Sequence, residues 1–162
     1  MPATEEVMFR LAKIRHSWLL VLGVATIVSL GTVKATDLNP AALIYQLPNQ
    51  IKWVDTPNGA SQSVVLGDLS KPGPYIELVI WHAHHMSHPH FHPNDRYINV
   101  ISGTWWVGTG SKFLPDTTVA LPAGSFVTHF GKQIHYDGAK DGDVLLEIVG
   151  EGPGTSTPAE DK

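Results

Sequence analysis

An all-β sandwich or barrel is the fold class this sequence predicts, on three observations. Past Ala35 the chain breaks into short β-prone runs, Gly and Pro clusters separate those runs, and no apolar stripe of helical period lasts beyond a couple of turns. The predicted strands, in order, are Ile51–Val54, Ser63–Leu69, Tyr75–His82, Arg96–Ile101, Thr104–Thr109, Val119–Leu121, Ser125–Phe130, Gln133–Tyr136 and Asp143–Val149. Each is rich in β-branched or aromatic residues, which suit a pleated surface. Turn signals divide them: Thr56-Pro-Asn-Gly59, Ser70-Lys-Pro-Gly-Pro74, Ser102-Gly103, Gly108-Thr-Gly110, Pro122-Ala-Gly124, Asp137-Gly138 and Asp141-Gly142. Asp37–Tyr45 reads as a short arm or helix, within an N-terminal arm over 36–50 that leads into a barrel over 51–150. Residues 151–162 are polar and rich in Gly, Pro and Thr, so they read as a frayed, flexible tail. There is no internal repeat.

The first 35 residues read as an address. Arg10, Lys13 and Arg15 precede an apolar run from Trp18 to Leu30, and Val33-Lys34-Ala35 places small residues where a signal peptidase reads them. A membrane anchor is the competing reading, but the run is shorter than the roughly 20 apolar residues a span needs. The expectation is a signal peptide over 1–35, a mature chain from Thr36 that is periplasmic or secreted, and no stable membrane insertion after cleavage.

Composition excludes several functions. The 162 residues include 11 basic and 15 acidic side chains, a net charge of −4. Removing the first 35, which carry four basic and two acidic groups, leaves seven against thirteen, a net −6. Such a chain lacks the basic face a phosphate backbone requires, so no nucleic-acid partner is expected. With no cysteine there are no disulfides, thiolate sites or thiol nucleophiles. Any metal must be held by nitrogen and oxygen.

Histidine is the outlier. Six of the nine lie in the eleven residues from His82 to His92, and in the mature chain only His129 and His135 lie outside that run. Alternate residues of a strand share a face, so His90 and His92 point the same way on one side of Phe91. Two imidazoles on one face grip one ion, with a third ligand from a distant segment. Exposed His pairs on loops are also common, and the spacing alone leaves that alternative open.

Beyond spacing, the chain resembles the cupin superfamily, small β-barrels whose motifs run G-x5-H-x-H-x3,4-E-x6-G and G-x5-P-x-G-x2-H-x3-N. His90, His92 and Gly103 fall in register with the first motif, Gly124 and His135 with the second. The strings His92-Pro-Asn-Asp95 followed by Tyr97, and Leu121-Pro-Ala-Gly-Ser-Phe126, resemble small single-domain members. The resemblance spans roughly residues 45–150 and implies a double-stranded β-helix, or jelly-roll barrel. His84 stands at the opening Gly, Phe130 at the Pro, Lys132 at the second Gly, Ala139 at the Asn, and Arg96 at the glutamate that usually completes the metal shell. Arginine cannot deprotonate and so cannot ligate, and Asp95 turns to the opposite face by parity.

The resemblance thus implies a three-histidine metal set of His90, His92 and His135. Iron is the family-weighted choice among divalent transition metals, with zinc, nickel, copper and manganese also suited to His. Three-His members look like non-haem oxygenases acting on small anionic chelators. Neutral ligands leave the ion its full charge for an anion, and an inward Arg96 adds a planar fork of donors. Two other readings of Arg96 stay open: a cation that repels the metal and leaves a carboxylate-binding pocket, or a residue that pairs with Asp95 or another acid and turns to solvent. His129 reads as an interior hydrogen-bonded histidine more readily than as a fourth ligand, and His82, His84, His85 and His88 as a solvated turn. Of Trp105 and Trp106, at least one should line the cavity, whereas Asp68, Glu77, Asp116, Asp141 and Asp143 read as turn and surface acids. The functional expectation is an exported mononuclear metal oxygenase or isomerase acting on a small anionic organic molecule, with Arg96 as the catalytic-site residue that orients it. The alternative is a non-catalytic protein that binds a metal or small ligand. Homodimer formation is common in the family.

Overall fold

The computed structural model of the chain describes residues 37–161. The predicted signal peptide lies outside the described residues, among which no helix is long and apolar enough to cross a membrane. Asp37–Leu43 forms a small separate unit with a turn at Asn39, whose carbonyl accepts from the Ala42 amide at 2.9 Å. All the strands belong to the unit that begins at Ile44.

Eleven strands form two antiparallel sheets: β1 (Val54–Asp55), β2 (Ala60–Leu66), β3 (Gly73–Trp81), β4 (His90–Phe91), β5 (Arg96–Ser102), β6 (Thr104–Thr109), β7 (Val119–Pro122), β8 (Phe126–His129), β9 (His135–Gly138), β10 (Val144–Gly152) and β11 (Thr157–Pro158). One sheet has the order β1-β2-β3-β10-β5-β8, the other β11-β4-β9-β6-β7. The predicted β class therefore holds, and nine of the strands correspond to the predicted runs. The two additions, β4 and β11, are only two residues long. They lack a run of alternating residues and exist because a neighbouring strand supplies hydrogen bonds.

Period-two alternation builds the core. On β3, Tyr75, Glu77, Val79 and Trp81 turn inward; on β5, Arg96, Ile98 and Val100; on β10, Val144, Leu146 and Ile148. With Trp105 from the second sheet, the apolar members of these sets form one continuous cluster. The same alternation brings charge inside, because Glu77 and Arg96 occupy inward positions. Register sets their relation: Ile148 of β10 lies between Glu77 and Ile98, and Gly150 between Tyr75 and Arg96. A side chain at Gly150 would meet the Tyr75 hydroxyl at 2.6 Å, so the glycine makes room for that ring.

The two motif glycines that this chain lacks have left a mark. His84 and Lys132 are the non-glycine residues with positive φ among those described, at 66° and 65°. The backbone keeps the left-handed turn that glycine normally supplies, and the residues there carry its steric cost.

Residues 151–161 differ from the expectation of a frayed tail. β10 runs on to Gly152, and β11 pairs with β4, Thr157 opposite Phe91 and Pro158 opposite His90. The Ala159 amide donates to the Pro89 carbonyl at 2.8 Å and the Asp161 amide to the Ser111 carbonyl at 2.9 Å. Composition suggested a solvated peptide, but an unpaired sheet edge supplied the partners that a free tail lacks.

Candidate metal centre

His90 and His135 are direct partners across the β4–β9 pairing, which joins residues 45 apart in sequence. His92 follows two residues on. The three rings gather with centroids 4.6 Å (His90–His135), 4.9 Å (His90–His92) and 5.3 Å (His92–His135) apart. One ring nitrogen from each lies within 4.8 Å of the other two, and this is the one such group of His and carboxylate side chains found among the described residues.

Hydrogen bonds decide which nitrogens converge. His90 Nδ1 donates to the His88 carbonyl at 2.8 Å, His92 Nδ1 to the Thr155 carbonyl at 2.9 Å, and His135 Nδ1 to the Gln133 carbonyl at 3.0 Å. A carbonyl oxygen only accepts, so each Nδ1 carries a proton and the neutral ring presents a bare Nε2 lone pair. Nε2 of His90 and Nε2 of His92 approach to 3.1 Å, and Nε2 of His135 is buried without a partner. Two facing lone pairs repel unless a proton or a cation lies between them. One proton satisfies two nitrogens; one cation satisfies all three. Metal–nitrogen bonds of about 2.0–2.1 Å place adjacent ligand nitrogens roughly 3.0–3.4 Å apart, and the 3.1 Å approach fits that spacing.

The surroundings keep the rings of His92 and His135 neutral. Burial, with help from Arg96 and His90, lowers the His92 pKa to about 2. Burial likewise takes His135 down to about 4. Deprotonated imidazole is the form a metal requires.

Asp137, two residues after His135 on the same strand face, is the main feature the sequence reading missed. It is buried; its Oδ2 accepts from Trp81 Nε1 and Trp105 Nε1, both at 2.9 Å, and its backbone amide donates to Ser87 Oγ at 2.9 Å. Burial pushes its pKa up, but His129, His135, His90 and Arg96 outweigh this and hold it below the ordinary carboxylate value. The Asp137-Gly138 pair looks like a turn in the sequence; the available signal was parity with His135.

Arg96 lies inside. It is 8% exposed, its Nη1 is 3.7 Å from Glu77 Oε1, its Nη2 is 3.5 Å from His129 Nδ1, and its Nε has no partner. These contacts are long, so most of the guanidinium's donor capacity is unspent. Glu77 corrects the expectation of a surface acid: it is 4% exposed and its pKa is raised by burial, against the opposing pull of Arg96. Arg96, Glu77, His90, His92 and Asp137 line a cavity of about 340 Å³, with Trp81, Ser156 and Pro158 also in its wall. Neither Trp105 nor Trp106 lines this cavity, which corrects the expectation of a wall from that pair; Trp81 supplies it instead. Trp105 is spent as a buried donor to Asp137, and Trp106 carries the Lys140 ammonium over its ring at 4.1 Å.

His129 stands outside the converging group. Its ring lies against His135 with centroids 3.8 Å apart and planes tilted by 39°, and its Nδ1 faces Arg96, which makes it an interior histidine that links the guanidinium to the trio. Burial, followed by the His135 charge, lowers its pKa to about 3. Asp95 points away as parity required, accepting from the Gly131 amide at 2.7 Å. Ser61 Oγ lies 2.9 Å from His82 Nε2, and Asp143 Oδ2 is 3.1 Å from His82 Nδ1, the contact order of a hydrolase triad. Ser61 donates its hydroxyl proton to Asp55 at 2.7 Å and is buried, so it is braced rather than poised for attack.

No family model matches the chain, and no curated protein matches it. Solved structures do. A conserved protein with a double-stranded β-helix domain from Klebsiella pneumoniae is 19% identical, with a TM-score of 0.55 over 73% of this chain and 97% of that one. An RmlC-like cupin from Shewanella frigidimarina is 13% identical, with a TM-score of 0.53 over 65% and 88%. The polyketide cyclase RemF from Streptomyces resistomycificus is 12% identical, with a TM-score of 0.61 over 74% and 87%. Together with the two antiparallel sheets, these similarities establish that the chain has the cupin fold, a double-stranded β-helix.

Proposed function

We propose that this chain is an exported mononuclear metal enzyme that acts on a small anionic organic molecule inside the barrel. The observation that carries the reading is the convergence of three Nε2 lone pairs whose Nδ1 protons are all committed to carbonyls. His90, His92 and His135 hold the ion, which when bound supplies Lewis acidity and an open coordination position. Arg96 turns its donors toward the negative end of the substrate and fixes its orientation. Glu77 shares the cavity wall and limits how much positive charge Arg96 presents. Asp137, spent on two indole N–H groups, steadies the wall and adds one negative charge behind the trio. Iron is the metal we assign from the three-His pattern; zinc, nickel, copper and manganese suit the same nitrogens. RemF, a polyketide cyclase of the same fold, supports a substrate with neighbouring carbonyl groups, such as a diketone.

A second reading, a protein that binds a metal or small ligand without turnover, draws on one observation. Glu77 partly neutralises Arg96, which reduces the electrostatic gain for an anion. Oxygen consumption and product analysis on iron-loaded protein with a panel of diketones and phenols separates the two. Turnover that disappears in Arg96→Gln supports the enzyme, and uptake without turnover supports the binder. The Arg96→Glu variant sharpens the electrostatic account, which expects stronger metal retention and weaker anion binding; the opposite pattern contradicts it.

A further inference from the structure

We propose that segment 153–161 is a working part of the metal centre: the Thr155 carbonyl fixes the ring of His92, strand β11 covers the edge of the strand that carries His90, and metal binding and docking of this segment are therefore coupled. The inference rests on the three-His reading and goes beyond it, because it assigns a site role to a stretch whose composition is that of a loose tail.

Four observations carry it. The proton on His92 Nδ1 goes to Thr155 at 2.9 Å, whereas the corresponding protons of His90 and His135 go to carbonyls two residues from each ring, those of His88 and Gln133. His92 alone of the three is oriented by a distant part of the chain, 63 residues away. Next, β11 pairs with β4 on the side opposite β9, so the short His90–Phe91 strand has backbone partners on both edges only when this segment is docked. Ser156 and Pro158 also wall the cavity that His90 and His92 line. Finally, docking is anchored along the segment's length: Gly154 donates to the Leu69 carbonyl at 2.8 Å, Ala159 to Pro89, Asp161 to Ser111, and Glu160 accepts from His88 Nδ1 at 2.8 Å.

The physical consequence is a coupling. With the Thr155 carbonyl removed, His92 no longer has a partner that selects the Nδ1–H form, and its Nε2 lone pair is no longer held toward the other two. A carbonyl or carboxylate behind a metal-binding imidazole typically contributes 10–100-fold in metal affinity. Linkage makes the effect reciprocal: if docking of the segment favours the metal, the metal must favour docking by the same factor.

The test compares the full chain with a variant ending at Gly152, using zinc as the probe and a chromophoric chelator as competitor. The expected result is one zinc per full-length chain and about 10–100-fold weaker binding in the shortened one, restored in part by a synthetic peptide of residues 153–161. Nitrogen-15 shifts of the zinc-free proteins supply a readout that general destabilisation does not produce: His92 loses its Nδ1–H form in the variant while His135 keeps it. Equal zinc affinity in the two chains overturns the proposal and leaves the metal site standing. A full-length chain that takes up no zinc removes both. Should the shortened chain fail to fold, amide exchange of the full chain decides: zinc must slow exchange at Gly154, Ala159 and Asp161, and unchanged rates there overturn the coupling.

Discussion

Two sets of histidines, separated by the single residue Pro89, have opposite fates. His84, His85 and His88 are exposed and His82 half-buried; their ring nitrogens, where bonded, serve Asp143 and Ser61, the Ala83 carbonyl and Glu160. His90 and His92 turn inward and meet His135. Density does not separate the sets, since both lie in one histidine-rich run. What separates them is the presence of a facing strand: β9 brings His135 opposite His90, while the outer set spans a turn with a left-handed residue at its centre. The three-His group in this fold is made by register across a sheet.

The largest test of that contrast is to delete ligands from one set and not the other. His92→Ala and His135→Ala should each abolish stoichiometric zinc uptake, a loss exceeding the 10–100-fold typical of supporting residues. The double variant His84→Ala, His85→Ala should bind zinc like the parent in the same chelator competition. Next in size is Asp137→Leu, which leaves two buried indole N–H groups unpaired and should cost about 2–5 kcal/mol in denaturant unfolding. The matching change at the surface, Asp143→Leu, should cost well under that, because its partners His82 and Ala83 reach water.

The sequence made the barrel and the trio legible because both follow from short-range patterns: period-two alternation for the strands, and H-x-H plus motif spacing for His90, His92 and His135. Arg96 was legible as a position, and alternation from Ile98 and Val100 places it inside. Residue type makes Glu77 read as a surface acid, but parity places it inward, because it alternates with Tyr75 and Val79 on a strand whose inner face is otherwise apolar. Asp137 was hidden by its glycine neighbour. The docked segment 153–161 was hidden more deeply, because its order comes from an edge built 66 to 68 residues earlier.

Acid acts on three of the buried histidines, His92, His129 and His135. In the unfolded chain the inner histidines take up protons at their ordinary pKa of 6.5, whereas in the folded protein His135 waits until about 4, His129 until about 3 and His92 until about 2. The unfolded state therefore binds more protons below pH 6.5, and metal-free stability should fall steadily as pH drops through that window. Urea midpoints between pH 7 and 4 measure this; a flat profile contradicts the neutral, buried assignment. The smallest effect belongs to the two left-handed residues. His84→Gly and Lys132→Gly relieve positive φ at non-glycine positions and should each stabilise by up to about 1 kcal/mol, less the added entropy of the unfolded chain.

The most direct measurement is a zinc titration followed through the imidazole nitrogens of the nitrogen-15-labelled full-length chain. At one equivalent the Nε2 resonances of His90, His92 and His135 should shift together, with their Nδ1 protons retained and the outer histidines unmoved. Shifts confined to His82, His84, His85 and His88, or none at any of the inner three, contradict a metal centre inside this barrel.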